Sequence, residues 1–96
     1  MLVNEYRRPD GHCLYHLDAY RLSTAWDAEE LDLDRMMENG QLVIEWPERI
    51  KSILPTNHLW IALRWIADEQ RGMTFNGLGE RYAGLLADFR KRVFGG

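Results

Sequence analysis

The sequence predicts an α/β fold, in which helices flank a sheet that is mostly parallel and has an antiparallel edge or hairpin. Short apolar runs typical of strands alternate with amphipathic stretches typical of helices. Two late apolar runs are separated only by residues 67–69, which is typical of a hairpin. Because 46% of the residues are hydrophobic, we also expect a packed globular core.

The first part of the chain predicts two strands joined by a tight turn. Residues 2–6 favour a short strand, and Pro9, Asp10 and Gly11 favour a reversal of the chain directly after it. The apolar-rich residues 12–20, which include Leu14, then predict a buried strand.

The middle of the chain predicts helices on both sides of a further strand. Residues 23–38 begin with N-cap residue types and favour one or two short acidic helices, which Gly40 ends. Residues 41–46 predict a buried strand that Pro47 terminates, so Glu45 is expected at its carboxyl end. Pro47 then favours the start of a short helix that continues through Ile53.

The last part of the chain predicts a hairpin and a helix. Residues 58–66 favour a strand with both faces partly covered, and residues 70–75 pair back against it. Residues 77–93 have apolar side chains at helical spacing and basic residues at the end. Since no internal repeat or linker separates these elements, we expect a single domain over residues 1–96.

Charge and cysteine content restrict the class of protein. The formal net charge of −3 and the pI near 5.5 lack the basic footprint of nucleic-acid binding, so direct binding of RNA is not expected. The single cysteine, Cys13, cannot form an internal disulfide, and residues 1–6 do not resemble a signal peptide. We therefore expect a cytoplasmic protein. We also expect no membrane association, because the longest apolar run, residues 59–63, is far shorter than the roughly 20 residues that a membrane span needs.

Polar residues gather at the end of the second predicted strand. Alternation places His16 and Asp18 on the same face of this strand. A carboxylate such as Asp18 suits magnesium, while Arg21 offers a planar fork of donors to a carboxylate or phosphate. The alternative is a structural ion pair between Asp18 and Arg21.

The strand at residues 42–47 has the layout of a Walker B strand, in which an apolar run precedes one acid. In P-loop proteins this acid helps to place magnesium or the attacking water, which would be the role of Glu45. The alternative is that Glu45 caps the next helix. A metal site formed by His12, Cys13, His16 and Asp18 is a weaker hypothesis, since His12 and Cys13 point to opposite faces of a strand.

These motifs, taken in order and with their spacing, resemble the TsaE family. The segments concerned are residues 2–6, 14–22 with H-x-D-x-Y-R-L, 42–50 with I-E-W-P, and 54–55. The similarity extends from residue 2 to about residue 66. It implies a partial P-loop NTPase-like sheet, an ATPase that binds ATP and Mg²⁺, and a role in forming threonylcarbamoyladenosine in tRNA.

The resemblance also implies roles for particular residues and partners. Asp18 matches the family's acid near magnesium and the γ-phosphate, and Glu45 matches its Walker B-like acid. The remaining matches are Trp46, beside the nucleotide site, and three residues of a switch-like segment: His16, Tyr20 and Arg21. The implied partners are homologues of TsaB and TsaD, and tRNA is contacted only indirectly through that complex.

The chain departs from the family in one large respect. The family begins with a strand, a G-x-x-G-x-G-K-T loop and a helix, and the 96 residues contain no such loop. The backbone amides and the lysine of that loop hold the β- and γ-phosphates in P-loop enzymes. Because the 96 residues lack them, we expect an incomplete, N-terminally truncated P-loop ATPase-like domain that is inactive as an isolated chain. An internal methionine taken as the start would explain Met1. The alternatives are a non-enzymatic interaction module or degenerate remnant, and a metal protein that uses His16 and Asp18 without ATP.

Overall fold

The computed structural model describes residues 3–95, which form two compact units that meet in the sequence between Leu54 and Pro55. The predicted first strand began at Leu2, which lies outside the described residues. The expectation of a single incomplete domain over residues 1–96 stays a prediction.

The first unit is built on a three-stranded mixed sheet. Its strands are β1 (Val3–Arg7), β2 (Cys13–Asp18) and β3 (Gly40–Glu45), arranged in the order β1-β2-β3. β1 is antiparallel to β2, whereas β2 and β3 are parallel. The sheet is therefore mixed and has the predicted antiparallel edge, while one of its two strand pairs is parallel. The predicted turn between β1 and β2 is confirmed as well, since the Gly11 amide donates to the Arg8 carbonyl oxygen at 3.0 Å.

Four short helical segments connect and cover these strands. They are a 3₁₀ helix (Ala19–Arg21), α1 (Ala25–Glu29), α2 (Leu33–Asn39) and a second 3₁₀ helix (Pro47–Ile53). The sequence predicts one or two acidic helices over residues 23–38, and two are found; the predicted helix from Pro47 through Ile53 is present as a 3₁₀ helix. Gly40 ends α2 as expected and is also the first residue of β3. A Cβ atom at Gly40 would lie 2.8 Å from the Cys13 carbonyl carbon, so only glycine allows β3 to begin so close to β2.

The core of this unit lies on one face of the sheet. Side chains along β2 alternate, so that Cys13, Tyr15 and Leu17 are buried whereas Leu14 is 37% exposed. β3 likewise alternates between half-buried and exposed side chains, so the buried strands predicted over residues 12–20 and 41–46 are covered on one face only. The remaining apolar residues on the buried side come from α2, from the two 3₁₀ helices and from Leu22, which directly follows the first 3₁₀ helix. The buried core residues are Cys13, Tyr15, Leu17, Ala19, Leu22, Leu33, Met36 and Ile50.

The second unit is an antiparallel hairpin with one helix. β4 (His58–Ala67) pairs with β5 (Gln70–Leu78), and α3 (Glu80–Phe94) follows. The turn at residues 67–69 is confirmed, with Glu69 in the left-handed region at φ 63°. The helix begins three residues later than predicted, because residues 76–78 extend β5 and pair with the start of β4.

Much apolar surface of the second unit is exposed. The expectation that both faces of β4 are partly covered is wrong for Ile61 to Ile66, all of which are exposed. α3 packs on β5 through Phe89 and Phe75, whose ring centroids lie 5.7 Å apart, but none of its residues is buried. Among the described residues, no helix is long and apolar enough to cross a membrane.

Candidate functional site

The candidate site lies where the two parallel strands of the first unit end. Asp18 and Glu45 are the last residues of β2 and β3, and they are direct neighbours in the register of the pair. Because neighbouring residues of parallel strands point to the same side, both carboxylates lie on the face opposite the core. In open α/β sheets, ligands bind beyond the carboxyl ends of the strands. The structure thus brings together the two acids that the sequence singled out.

His16 lies on the same face and contacts Glu45. Its Nε2 atom is 3.2 Å from Glu45 Oε1, and the two side chains are 30% and 56% exposed. The contact is an ion pair only when the imidazole is protonated, and solvent screening limits such pairs to about 0.2–1 kcal/mol. The contact between His16 and Glu45 orients the Glu45 carboxylate. The alternative, that Glu45 caps the next helix, is not supported, since that 3₁₀ helix begins without a side-chain cap.

Asp18 begins the first 3₁₀ helix. Its Oδ1 atom accepts a hydrogen bond from the Tyr20 backbone amide at 3.1 Å, which ends β2 two residues earlier than predicted. The structural ion pair between Asp18 and Arg21 is absent from residues 3–95. Arg21 ends the same 3₁₀ helix with an exposed side chain, and within the described residues no side-chain hydrogen bond or ion pair joins it to the other candidates.

Trp46 has an unusual backbone conformation. Its φ and ψ of 57° and 49° lie in the left-handed region. For a residue with a bulky side chain this conformation costs on the order of 1–3 kcal/mol. The indole is nevertheless 55% exposed, and its ring centroid lies 5.4 Å from that of Tyr20. A strained and exposed tryptophan directly after Glu45 is typical of a binding site rather than of a packed core.

Arg49 is a site residue that the sequence reasoning missed. Its Cζ atom lies 5.0 Å from the centroid of the Tyr20 ring, and its Nη2 atom donates to the Leu22 carbonyl oxygen at 3.0 Å. The sequence signal that could have indicated Arg49 is its spacing from Trp46. Arg49 follows Trp46 by three residues, which is one turn at the start of the helix predicted over residues 47–53.

Comparison with known proteins decides the family. Residues 1–73 match the family described as "Threonylcarbamoyl adenosine biosynthesis protein TsaE". The chain belongs to the TsaE family. Two relatives carry the name "tRNA threonylcarbamoyladenosine biosynthesis protein TsaE". The one from Streptomyces coelicolor is 43% identical over 79 residues, which is 77% of this chain and 53% of the relative. The one from Bacillus subtilis is 33% identical over 92 residues, or 94% and 56%.

A solved TsaE-like structure confirms the fold. The crystal structure of Bacillus subtilis YdiB is similar with a TM-score of 0.78 and 29% identity, and the match covers 96% of this chain and 57% of that one. The predicted α/β fold with a partial P-loop NTPase-like sheet is therefore confirmed. The chain spans about half the length of the curated TsaE relatives it matches.

The described residues do not assemble the alternative metal site. Within residues 3–95, no group of three or more His, Cys, Asp or Glu side chains is placed to hold a metal ion. Cys13 is buried on the core face, whereas His12 is exposed and its Nδ1 lies 3.1 Å from Asp10 Oδ1. The carboxylates of Asp18 and Glu45 have the donor chemistry that magnesium takes, because this ion commonly binds one or two carboxylates and obtains further oxygens from phosphates and water.

A second polar cluster lies away from these residues, toward the start of β2. It surrounds a cavity of about 310 Å³ lined by Glu5, Arg7, Gly11, Cys13, Tyr15, Arg35 and Asn39. A hydrogen bond of 2.6 Å to Glu5 raises the pKa of Arg7, and burial raises the pKa of Tyr15. Arg7 is therefore a cation and Tyr15 a neutral phenol at neutral pH. No residue assigned from the TsaE resemblance lines this cavity.

Proposed function

We propose that this chain provides the acidic part of a TsaE ATPase site and acts in the biosynthesis of threonylcarbamoyladenosine in tRNA. The observation that supports this most strongly is the pairing of Asp18 with Glu45 at the carboxyl ends of two parallel strands, directly before the exposed Trp46. The names of the relatives support the pathway.

Each residue of the site has a role in this proposal. Asp18 binds the magnesium of MgATP, and Glu45 places that ion or the attacking water beside the γ-phosphate. When bound, magnesium neutralises charge on the phosphates. His16 directs the Glu45 carboxylate through their 3.2 Å contact.

Three further side chains complete the proposed nucleotide site. Trp46 and Tyr20 form its aromatic wall, since their rings pack together and remain exposed beside the two acids. Arg21 is proposed to reach phosphate from the end of the first 3₁₀ helix, where its guanidinium is exposed.

The 96 residues alone are proposed to be inactive as an ATPase. They contain no G-x-x-x-x-G-K-[ST] loop, whose backbone amides and lysine hold the β- and γ-phosphates in P-loop enzymes. The acidic residues described here then act only together with such a loop. We place the protein in the cytoplasm, with homologues of TsaB and TsaD as partners and with tRNA contacted only through their complex.

The proposal is tested by supplying a P-loop to these 96 residues. A chimera is prepared in which a strand, a G-x-x-G-x-G-K-T loop and a helix precede Val3, and MgADP is titrated while tryptophan emission is recorded. We expect a saturable change in the chimera and none in the 96-residue chain. The change should disappear in Trp46→Phe and persist in Trp26→Phe, which removes a similarly exposed indole of the same unit.

Other outcomes separate the competing functions. A folded chimera that does not respond to MgADP would contradict the ATPase proposal and favour an interaction module. A response to magnesium, manganese or zinc alone, seen as a raised melting temperature without nucleotide, would instead favour a metal protein that uses His16 and Asp18.

A further inference from the structure

We infer that Arg49 is a positioning residue that holds the Tyr20–Trp46 aromatic pair against the carboxyl edge of the sheet. The pair's contact with nucleotide rests on the proposed function, but the positioning itself rests only on contacts within the first unit. Neither the sequence motifs nor the comparisons assign Arg49 a role.

Arg49 joins the two segments that follow the two acids. Its guanidinium lies over the Tyr20 ring at 5.0 Å and donates to the Leu22 carbonyl oxygen at 3.0 Å, so it contacts the segment after Asp18 at two points. Its own backbone amide donates to the Trp46 carbonyl oxygen at 3.2 Å, which ties it to the segment after Glu45. One residue thereby fixes how far apart these segments lie.

Ile50, the next residue, restrains the backbone of Arg49. Ile50 is fully buried in the core, and its non-helical φ and ψ of −129° and 30° interrupt the second 3₁₀ helix directly after Arg49. The Arg49 backbone therefore cannot shift without moving a core residue, although its side chain is exposed.

The conformation of Trp46 needs such support. A left-handed tryptophan persists only where the surrounding structure holds it, and burial does not do so here because the indole is 55% exposed. Tyr20 is the aromatic contact of Trp46, and Arg49 lies on Tyr20. Arg49 thus acts on Trp46 through Tyr20.

The role requires arginine rather than any cation. A planar guanidinium stacks on an aromatic ring while its N–H groups donate sideways, whereas a lysine ammonium is a compact charge that does not do both in the same geometry. Arg49→Lys should therefore restore only part of what Arg49→Ala loses.

The test follows Trp46 directly in the 96-residue chain without nucleotide. Tryptophan is replaced biosynthetically by 5-fluorotryptophan, and the ¹⁹F resonance of Trp46 is assigned by its loss in Trp46→Phe. We expect this resonance to move toward the position of free 5-fluorotryptophan in Arg49→Ala and to move less in Arg49→Lys. Arg35→Ala is the matched control, because it removes another exposed guanidinium of the same unit that contacts Asp32 instead.

Tyr20→Leu tests the route of the effect. It should move the Trp46 resonance as Arg49→Ala does, and the double variant should add little, since both changes break the same chain of contacts. In the chimera, Arg49→Ala should weaken MgADP binding roughly tenfold, the size expected for losing a cation–π contact and a charged hydrogen bond.

The outcomes separate the inference from the function on which it builds. An unmoved Trp46 resonance in Arg49→Ala, or an equal movement in Arg35→Ala, would overturn the positioning role whatever the nucleotide result. A chimera that does not bind MgADP would overturn the proposed ATPase site, while the nucleotide-free spectra would still decide the role of Arg49.

Discussion

Glu45→Gln in the chimera is expected to lower the rate of ATP hydrolysis by about 10²- to 10⁴-fold, the range typical of losing a side chain that acts as a general base on the attacking water. Glutamine keeps the shape of the side chain and an oxygen 3.2 Å from His16 Nε2, but it removes the negative charge. The measurement is phosphate release under saturating MgATP.

The effect should be confined to the chemical step and to this carboxylate. We expect MgADP binding to change by no more than a few-fold in Glu45→Gln, because Asp18, which is proposed to bind the ion, and the aromatic wall are both unaltered. Glu48→Gln is the matched control, since Glu48 is an exposed acid three residues further along the same motif. Loss of activity in the Glu48 variant, or full activity in the Glu45 variant, would contradict the proposed role of Glu45.

Leu17→Ala is expected to lower the free energy of unfolding of the first unit by about 2–5 kcal/mol, as is typical for truncating a large buried side chain. Leu17 is fully buried near the carboxyl end of β2 and pairs with Ile44 across the parallel strands. Its loss leaves a cavity beneath the strand pair that carries Asp18 and Glu45. Hydrogen exchange of the β2 amides measures the change in this unit alone.

Val43→Ala is the control for this change. Val43 lies on the opposite face of the same strand pair and is 49% exposed, so its truncation should cost less than about 1 kcal/mol. Equal losses for the two variants would show that the Leu17 face is not the core of this unit.

The positions of turns and of helix ends could be predicted, because the backbone preferences of individual residues determine them. Pro9, Asp10 and Gly11 favour a turn whatever packs around them, Gly40 ends α2, and Pro47 suits the first turn of a helix. Coverage of the strands was predicted less well. The exposure of Leu14 and of residues 61–66 depends on which surfaces lie against them, and an apolar run does not contain that information.

The site was predictable to a similar extent. Alternation placed His16 and Asp18 on one face, and the acid after an apolar run placed Glu45 at a strand end. The position of Arg49 over Tyr20 depends on tertiary packing between two 3₁₀ helices. The left-handed Trp46 runs against its local signal, since a residue before proline favours an extended backbone.

The measurement that tests the central claim most directly uses manganese as a paramagnetic substitute for magnesium in the chimera. With MnADP bound, we predict that the backbone amide signals of Asp18 and Glu45 lose far more intensity than those of Cys13 and Gly40. The second pair lies at the other ends of the same two strands, about 16 Å away at the usual rise per residue. Equal loss at both ends, or greater loss at Cys13 and Gly40, would contradict a metal–nucleotide site at the carboxyl edge of this sheet.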